Sequence, residues 1–342
     1  MKKWICLLLI AIAATSALYA AYPDEYPIFL RLLGFSKDDI RHLSDGGLIK
    51  RSIRNALPGE SGIVAAQVSN IPSYYFRDYF RYVENFSSLT RFGDTGQFSN
   101  PPDLQDLKPL VFSKTELQDF LTCRTGPCQL GLRPEEIQTI PAEADLESDA
   151  GREIASNSYR ELLLKRVLEY RDRGADPQAA QLLKMQLSRF AELPAYFPVA
   201  QEYLLRYPKE IKPMVDNLFY WSRESIGKKP VLTLHHVFSQ RVGEDFILLN
   251  YVVYSNYYFD SAIDVIHLLN YADRNRPATL IVFEQRTLAR ATAGGPGRNS
   301  IGRSLEDRWT SRLKTVSKTL ETRYRSREYL GFPYRLLPRD QR

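Results

Sequence analysis

Apolar positions recur along this chain with two different periods, and the change of period divides it. Between residues 151 and 226 they fall three or four apart, the repeat of a helix face. Ile154, Tyr159, Leu162, Leu163, Val167 and Tyr170 form one such stripe, stopped at Gly174. Asp176-Pro177 restarts a helix carrying Ala180, Leu183, Leu187 and Phe190, and Pro194 stops it. Pro198 to Tyr207 reads as a third helix. A fourth begins at Pro213, with Val215, Leu218, Phe219, Ser222 and Ile226 inward, and ends at Gly227. The period then falls to two. Residues 231–238, 246–259, 261–271 and 279–287 are rich in β-branched and aromatic side chains. Turns at 241–245 and 273–277 make them an antiparallel meander. Both alternating sets of residues 246–259 are apolar, which predicts that both sheet faces are covered.

Before these blocks, Ser36-Lys37-Asp38-Asp39 predicts a capped helix, residues 48–53 and 63–68 two strands, and residues 73–86 an amphipathic helix. Ser113 to Glu116 reads as a capping box for a short helix over 114–121, and residues 129–132 as a short strand. After a Gly-rich loop at 293–302, Ser304 to Asp307 reads as another capping box. The helix it opens, about 304–327, places Leu305, Trp309, Leu313, Val316, Leu320 and Tyr324 on one face.

Composition narrows the class. The 342 residues are 44% hydrophobic and 25% charged, which is globular and excludes a disordered or fibrous chain. Residues 1–20 read as a secretory signal: Lys2 and Lys3, an apolar run from Ile5 to Ala14, then small residues with cleavage near Ala20. The alternative is an uncleaved N-terminal anchor. The expectation is an extracytoplasmic protein, periplasmic or secreted. Beyond Cys6, Cys123 and Cys128 are the cysteines present. Four residues separate them, unlike a zinc knuckle or a redox pair, and a structural disulfide is expected.

The net charge of +6 is uneven. Residues 301–342 carry eleven Lys/Arg against five Asp/Glu, so the basicity is C-terminal. The first reading is the solvated outer face of a packed helix. The alternative is contact of Arg308, Arg312 and Lys318 with an anionic membrane or polyanion. Nucleic acid does not suit an exported chain.

Catalytic signatures are weak. His42, His235, His236 and His267 have no zincin spacing, and Gly59-Glu60-Ser61-Gly62 is one residue short of a nucleophile elbow. His235 and His236, adjacent on a strand, point to opposite faces and cannot chelate one metal. No metal or cofactor is expected. Tyr251, Tyr254, Tyr257 and Tyr258 offer a polar aromatic wall, or ordinary sheet packing.

Residues 43–53, then Gly62 to Pro72, then the helix Tyr75–Phe86 make the N-terminal block similar to the START-like, or polyketide cyclase-like, helix-grip superfamily. The whole chain also resembles a group of secreted bacterial proteins of uncharacterised activity. Residues 98–104, 123–128, 219–222, 229–231, 236–237 and 254–260 carry that likeness. It departs from the group at Tyr257, where the group commonly has His, and at Glu284-Gln285-Arg286-Thr287, where the group has Asn-Arg-Ser-Arg.

The superfamily resemblance implies an α+β helix-grip fold: an antiparallel sheet gripped by a long C-terminal helix over an apolar cavity. Residues 21–342 would form one such domain, with about 140–226 as a helical insertion. The expected function is non-enzymatic binding of a hydrophobic or amphipathic, lipid-like small molecule, with His236, Tyr254, Tyr258 and Trp309 as contacts. The alternatives are an enzyme acting on such a ligand in the same cavity, or an envelope-interaction protein using the basic helix.

Overall fold

The computed structural model describes residues 26–54, 59–80, 93–126, 128–142, 144–209, 215–226, 229–271, 277–290 and 297–326. The signal segment, the helical positions Tyr82, Val83 and Phe86, and the side chains of Arg308 and Trp309 lie outside the described residues.

The chain is α+β. One antiparallel sheet of eight strands holds β1 (Ile49–Arg54), β2 (Glu60–Ser69), β3 (Asp94–Gln97), β4 (Val215–Ile226), β5 (Lys229–Val242), β6 (Asp245–Ser255), β7 (Phe259–Asn270) and β8 (Thr279–Ala289). Their spatial order is β1-β2-β8-β7-β6-β5-β4-β3. From β4 to β8 each strand pairs with its successor; β5 to β8 are the meander that the period-two block predicts, and β4 extends it.

Helices lie against both faces, which explains why β6 is apolar on both sides. One face carries α1 (Tyr26–Leu32), α2 (Lys37–Ser44) and the run of α6 (Asp149–Arg173), α7 (Pro177–Leu187), α8 (Glu192–Tyr196) and α9 (Pro198–Arg206). The short helices α4 (Lys114–Leu121) and α5 (Pro134–Ile137) precede that run. The opposite face carries α3 (Ser73–Phe80) and the long α10 (Gly297–Arg325).

Local chemistry sets the helix ends. Ser36 and Ser113 are N-caps whose hydroxyls accept from the third backbone N–H, while Asp39 and Glu116 reach back to the caps. Each such cap contributes about 1 kcal/mol. Gly174 ends α6 at φ 80°, a conformation open to glycine, and a Cβ there would meet the Tyr207 carbonyl at 2.2 Å. Cys123 and Cys128 form the disulfide, which closes the loop after α4.

Leu313, Val316 and Leu320 of α10 pack on Ile63, Ala65, Ile281, Phe283, Phe246 and Ile266, with Phe76 and Tyr79 of α3 beside them. Two polar ties fix the helix. Glu321 accepts from the Ser69 hydroxyl at 2.6 Å and from the Asn70 N–H at 3.1 Å, at the end of β2. The Arg312 guanidinium donates to Glu224 of β4 at 2.8 Å. These ties are nine residues apart, about 14 Å along a helix. Five strand spacings separate β2 from β4, about 24 Å along the sheet. The sheet therefore curls around α10.

Four elements differ from the pattern-based reading. Residues 215–226 form strand β4, not a helix. Val215, Leu218, Phe219, Ser222 and Ile226 satisfy helical spacing, but the stretch is aromatic-rich, and twelve paired positions with β5 decide its state. Residues 129–132 are not a strand; Gly131 makes a single N–H···O bond to Asn256. Helix α10 begins at Gly297, inside the stretch read as a loop. Residues 94–97, which show no strand pattern, become edge strand β3 by pairing with β4.

The Leu320 side chain is fully buried under α10. Leu320→Ala should lower the unfolding free energy by about 2–5 kcal/mol in urea titration. Lys318→Ala, on the exposed side of the same helix, should change it by less than about 0.5 kcal/mol.

Candidate functional site

Beneath Arg312 lies a cavity of about 60 Å³, lined by residues of β4, β5, β6, β7, β8 and α10. Ile226, Val231, Val252, Phe259 and Ala262 make its apolar wall. Tyr220, Glu224, Thr233, His235, Asn250, Asp264, Gln285, Thr287 and Arg312 supply its polar side. Strand alternation puts all of them on one sheet face, and the curl brings five strands to one chamber.

Asn250, Asp264 and Gln285 stand directly opposite one another on β6, β7 and β8. The Asp264 carboxylate accepts from Asn250 Nδ2 at 2.8 Å and from Gln285 Nε2 at 2.9 Å. With its amide nitrogen so engaged, Asn250 turns its Oδ1 to His235 Nδ1, 3.0 Å away. His235 Nδ1 therefore carries the proton, and Nε2 offers a lone pair. Thr233 Oγ1 lies 2.6 Å and Ser222 Oγ 3.1 Å from that nitrogen. The Tyr220 ring stacks on His235 with centroids 4.2 Å apart. Burial pushes the His235 pKa down to about 3, so the ring is neutral at physiological pH. Burial also raises Asp264 to about 6, against its two amide donors and the nearby Arg312 charge.

The sequence-derived contacts fall elsewhere. His236 is on the opposite sheet face, where Tyr170 Oη is 2.9 Å from Nδ1 and Asn217 Oδ1 is 2.7 Å from Nε2. Strand alternation allows one member of the His235–His236 pair to face α10, and it is His235. Tyr254 also faces away from α10; its hydroxyl lies 3.3 Å from that of Tyr159, with Arg166 over its ring at 4.3 Å. Tyr258 sits at the β6–β7 corner with φ 64°, and its carbonyl accepts the Arg290 N–H. Lys318 is exposed. Arg312 is not an outward basic contact: it is 10% exposed and tied to Glu224, because it lies on the inner side of α10.

Asn250, Asp264 and Gln285 had a signal in the sequence. Asn250 and Asp264 each interrupt an apolar strand, Gln285 lies in the polar run 284–287, and only register shows that the three share a row.

A second buried polar cluster lies on the other face. The Glu192 and Glu284 carboxyls are both buried and repel each other when ionised, which favours a proton held by the pair. His267 Nε2 is 3.5 Å from Glu192, and Arg286 Nε donates to Glu284 at 2.7 Å. Glu60 faces Arg286 at 3.6 Å and Arg189 at 3.8 Å. Gln186 and Ser261 join through a hydrogen bond of their own. With one proton shared, three carboxyls and two guanidinium groups sum to neutrality. Burial raises both Glu192 and Glu284 above the ordinary carboxyl range. No group of His, Cys, Asp and Glu among the described residues has metal-binding geometry, and none of their helices is long and apolar enough to cross a membrane.

No protein-family model, curated protein or solved structure matches the chain.

Two measurements follow from these geometries. Nitrogen NMR of His235 should show a neutral, Nδ1-protonated ring unchanged from pH 5 to 8; a titration in that range would contradict the network. For the carboxyl pair, the folded state holds a proton that the unfolded chain releases above the ordinary Glu pKa. Stability therefore falls as pH rises from that value through the raised one. Glu284→Gln removes the ionisable group, so its melting temperature should gain on the wild type between pH 5 and 9. A constant offset would show that the pair does not share a proton.

Proposed function

We propose that the chain is an extracytoplasmic, non-enzymatic protein that binds a small amphipathic molecule in the chamber under α10. The observation that carries this reading is the two-sided lining: a wall of Ile226, Val231, Val252, Phe259 and Ala262 facing hydrogen-bonding groups on Thr233, His235, Asn250 and Asp264. A curled antiparallel sheet with a long C-terminal helix across it supports the helix-grip reading. The Cys123–Cys128 disulfide supports an oxidising compartment.

The volume constrains the ligand. Sites for drug-sized molecules span roughly 300–1,000 Å³, whereas this chamber is about 60 Å³. It takes a polar group and a few carbons. A lipid-like tail would leave along the apolar wall and require α10 to shift. Each methylene kept from water contributes about 0.8 kcal/mol.

Native mass spectrometry of protein purified without organic solvent, followed by calorimetric titration with short and long amphipaths, tests the reading. Wild type should bind at least one class, and Ala262→Phe, which fills the chamber, should abolish binding while melting cooperatively. Binding unaffected by Ala262→Phe, or none in wild type, would refute it.

A further inference from the structure

We infer that the chamber selects a cationic hydrogen-bond donor, a primary alkylammonium group, as the polar end of its ligand. The inference rests on the binding reading above and names the class of ligand.

The argument starts from the direction of the hydrogen bonds. Asp264 is the sole end of the network that can only accept, and it takes protons from Asn250 Nδ2 and Gln285 Nε2. That orients Asn250, and Asn250 orients His235, so Nε2 must accept. The closest hydroxyl to Nε2, Thr233 Oγ1 at 2.6 Å, donates to it. Thr233 Oγ1 then has lone pairs left for Ser222 Oγ, 2.8 Å away. The bridging protons of the chain Ser222–Thr233–His235–Asn250–Asp264 thus run toward the carboxylate. The carboxylate at its end keeps lone pairs for a ligand, and the Tyr220 and Thr287 hydroxyls on the same wall can accept as well as donate. An Asp264 oxygen that accepts one amide N–H keeps a second acceptor position.

Charge points the same way. Among the described residues, the charged groups lining the chamber are Asp264 of β7, Glu224 of β4 and Arg312 of α10; Tyr220 and His235 are neutral. Arg312 is committed to Glu224 at 2.8 Å. With Asp264 ionised, these described groups leave one negative charge in excess beside a low-dielectric wall. A carboxylate or phosphate entering would meet lone pairs and that charge. A neutral alcohol would satisfy one acceptor. An ammonium offers three N–H donors and the compensating charge, and its alkyl part would face Val231, Val252, Ile226 and Ala262. The chamber admits an ammonium with a short chain, whether from a free small amine or from the amine end of a longer amphipath.

The test is calorimetric titration of the whole protein with butylammonium, butanol and butyrate, repeated with the twelve-carbon ammonium. At pH 7.5 butylammonium should bind about tenfold or more tightly than butanol, and butyrate not measurably. Its affinity should fall below pH 6, where Asp264 takes up a proton, while that of butanol should not. Asp264→Asn should bring ammonium and alcohol to within about threefold of each other. Because the pH arm uses wild-type protein, the inference stays falsifiable if a variant does not fold. Equal affinity for all three short ligands, or a preference for butyrate, would overturn the cation assignment and leave the chamber a binding site. Absence of binding by every ligand would overturn both. Affinity rising about fourfold per added methylene identifies the chain-bound amine, and a plateau after four carbons the free one.

Discussion

Helix α10 lies in the concavity of the sheet, and its Leu313, Val316 and Leu320 stripe needs the apolar rows of β2, β6, β7 and β8 beneath it. Its ties to Ser69 and Asn70 at one side and Glu224 at the other hold strands that the sheet order keeps five steps apart. The curl, the chamber and the inward aim of Arg312 all follow from that contact. Flattening the sheet would separate β4 from β8, and with them the two halves of the chamber lining.

Both faces pay attention to the same electrostatic constraint: a buried charge must be matched, or held by hydrogen bonds. On the α8 face, Glu60, Glu192 and Glu284 meet Arg189 and Arg286, and a shared proton removes the excess charge. On the α10 face, Asp264 has two amide donors and no guanidinium committed to it, since Arg312 binds Glu224. The first cluster is charge-balanced within the protein. Among the described residues the second keeps the Asp264 carboxyl next to a cavity without a guanidinium hydrogen-bonded to it, which is why the chamber, rather than the larger ionic cluster, carries the functional reading.

Much of the architecture was legible as pattern. The caps at Ser36 and Ser113, the stripes of α6 and α7, the meander and the closing helix are short-range features. Their signals lie within a few residues of the elements they specify. The misreading of residues 215–226 has the same origin. A stretch that fits helical spacing and is also aromatic-rich is undecided locally, and pairing with β5 settles it. The site was less legible. Tyr254 belongs to a tyrosine run, yet its side chain packs against α6, and nothing in the sequence ranks His236 against His235.

By itself the sequence determined most of the segments that become helix or strand, the pairing of Cys123 with Cys128, and the need for cover on both sheet faces. These depend on side-chain period and spacing, which are local properties. The tertiary structure alone decided that Asn250, Asp264 and Gln285 form a row, that His235 faces the chamber, and that Arg312 points inward. Those facts depend on strand register, sheet curl and the rotation of α10 about its axis. A one-residue slip in register, or half a turn of the helix, would reverse each of them while leaving every local pattern unchanged.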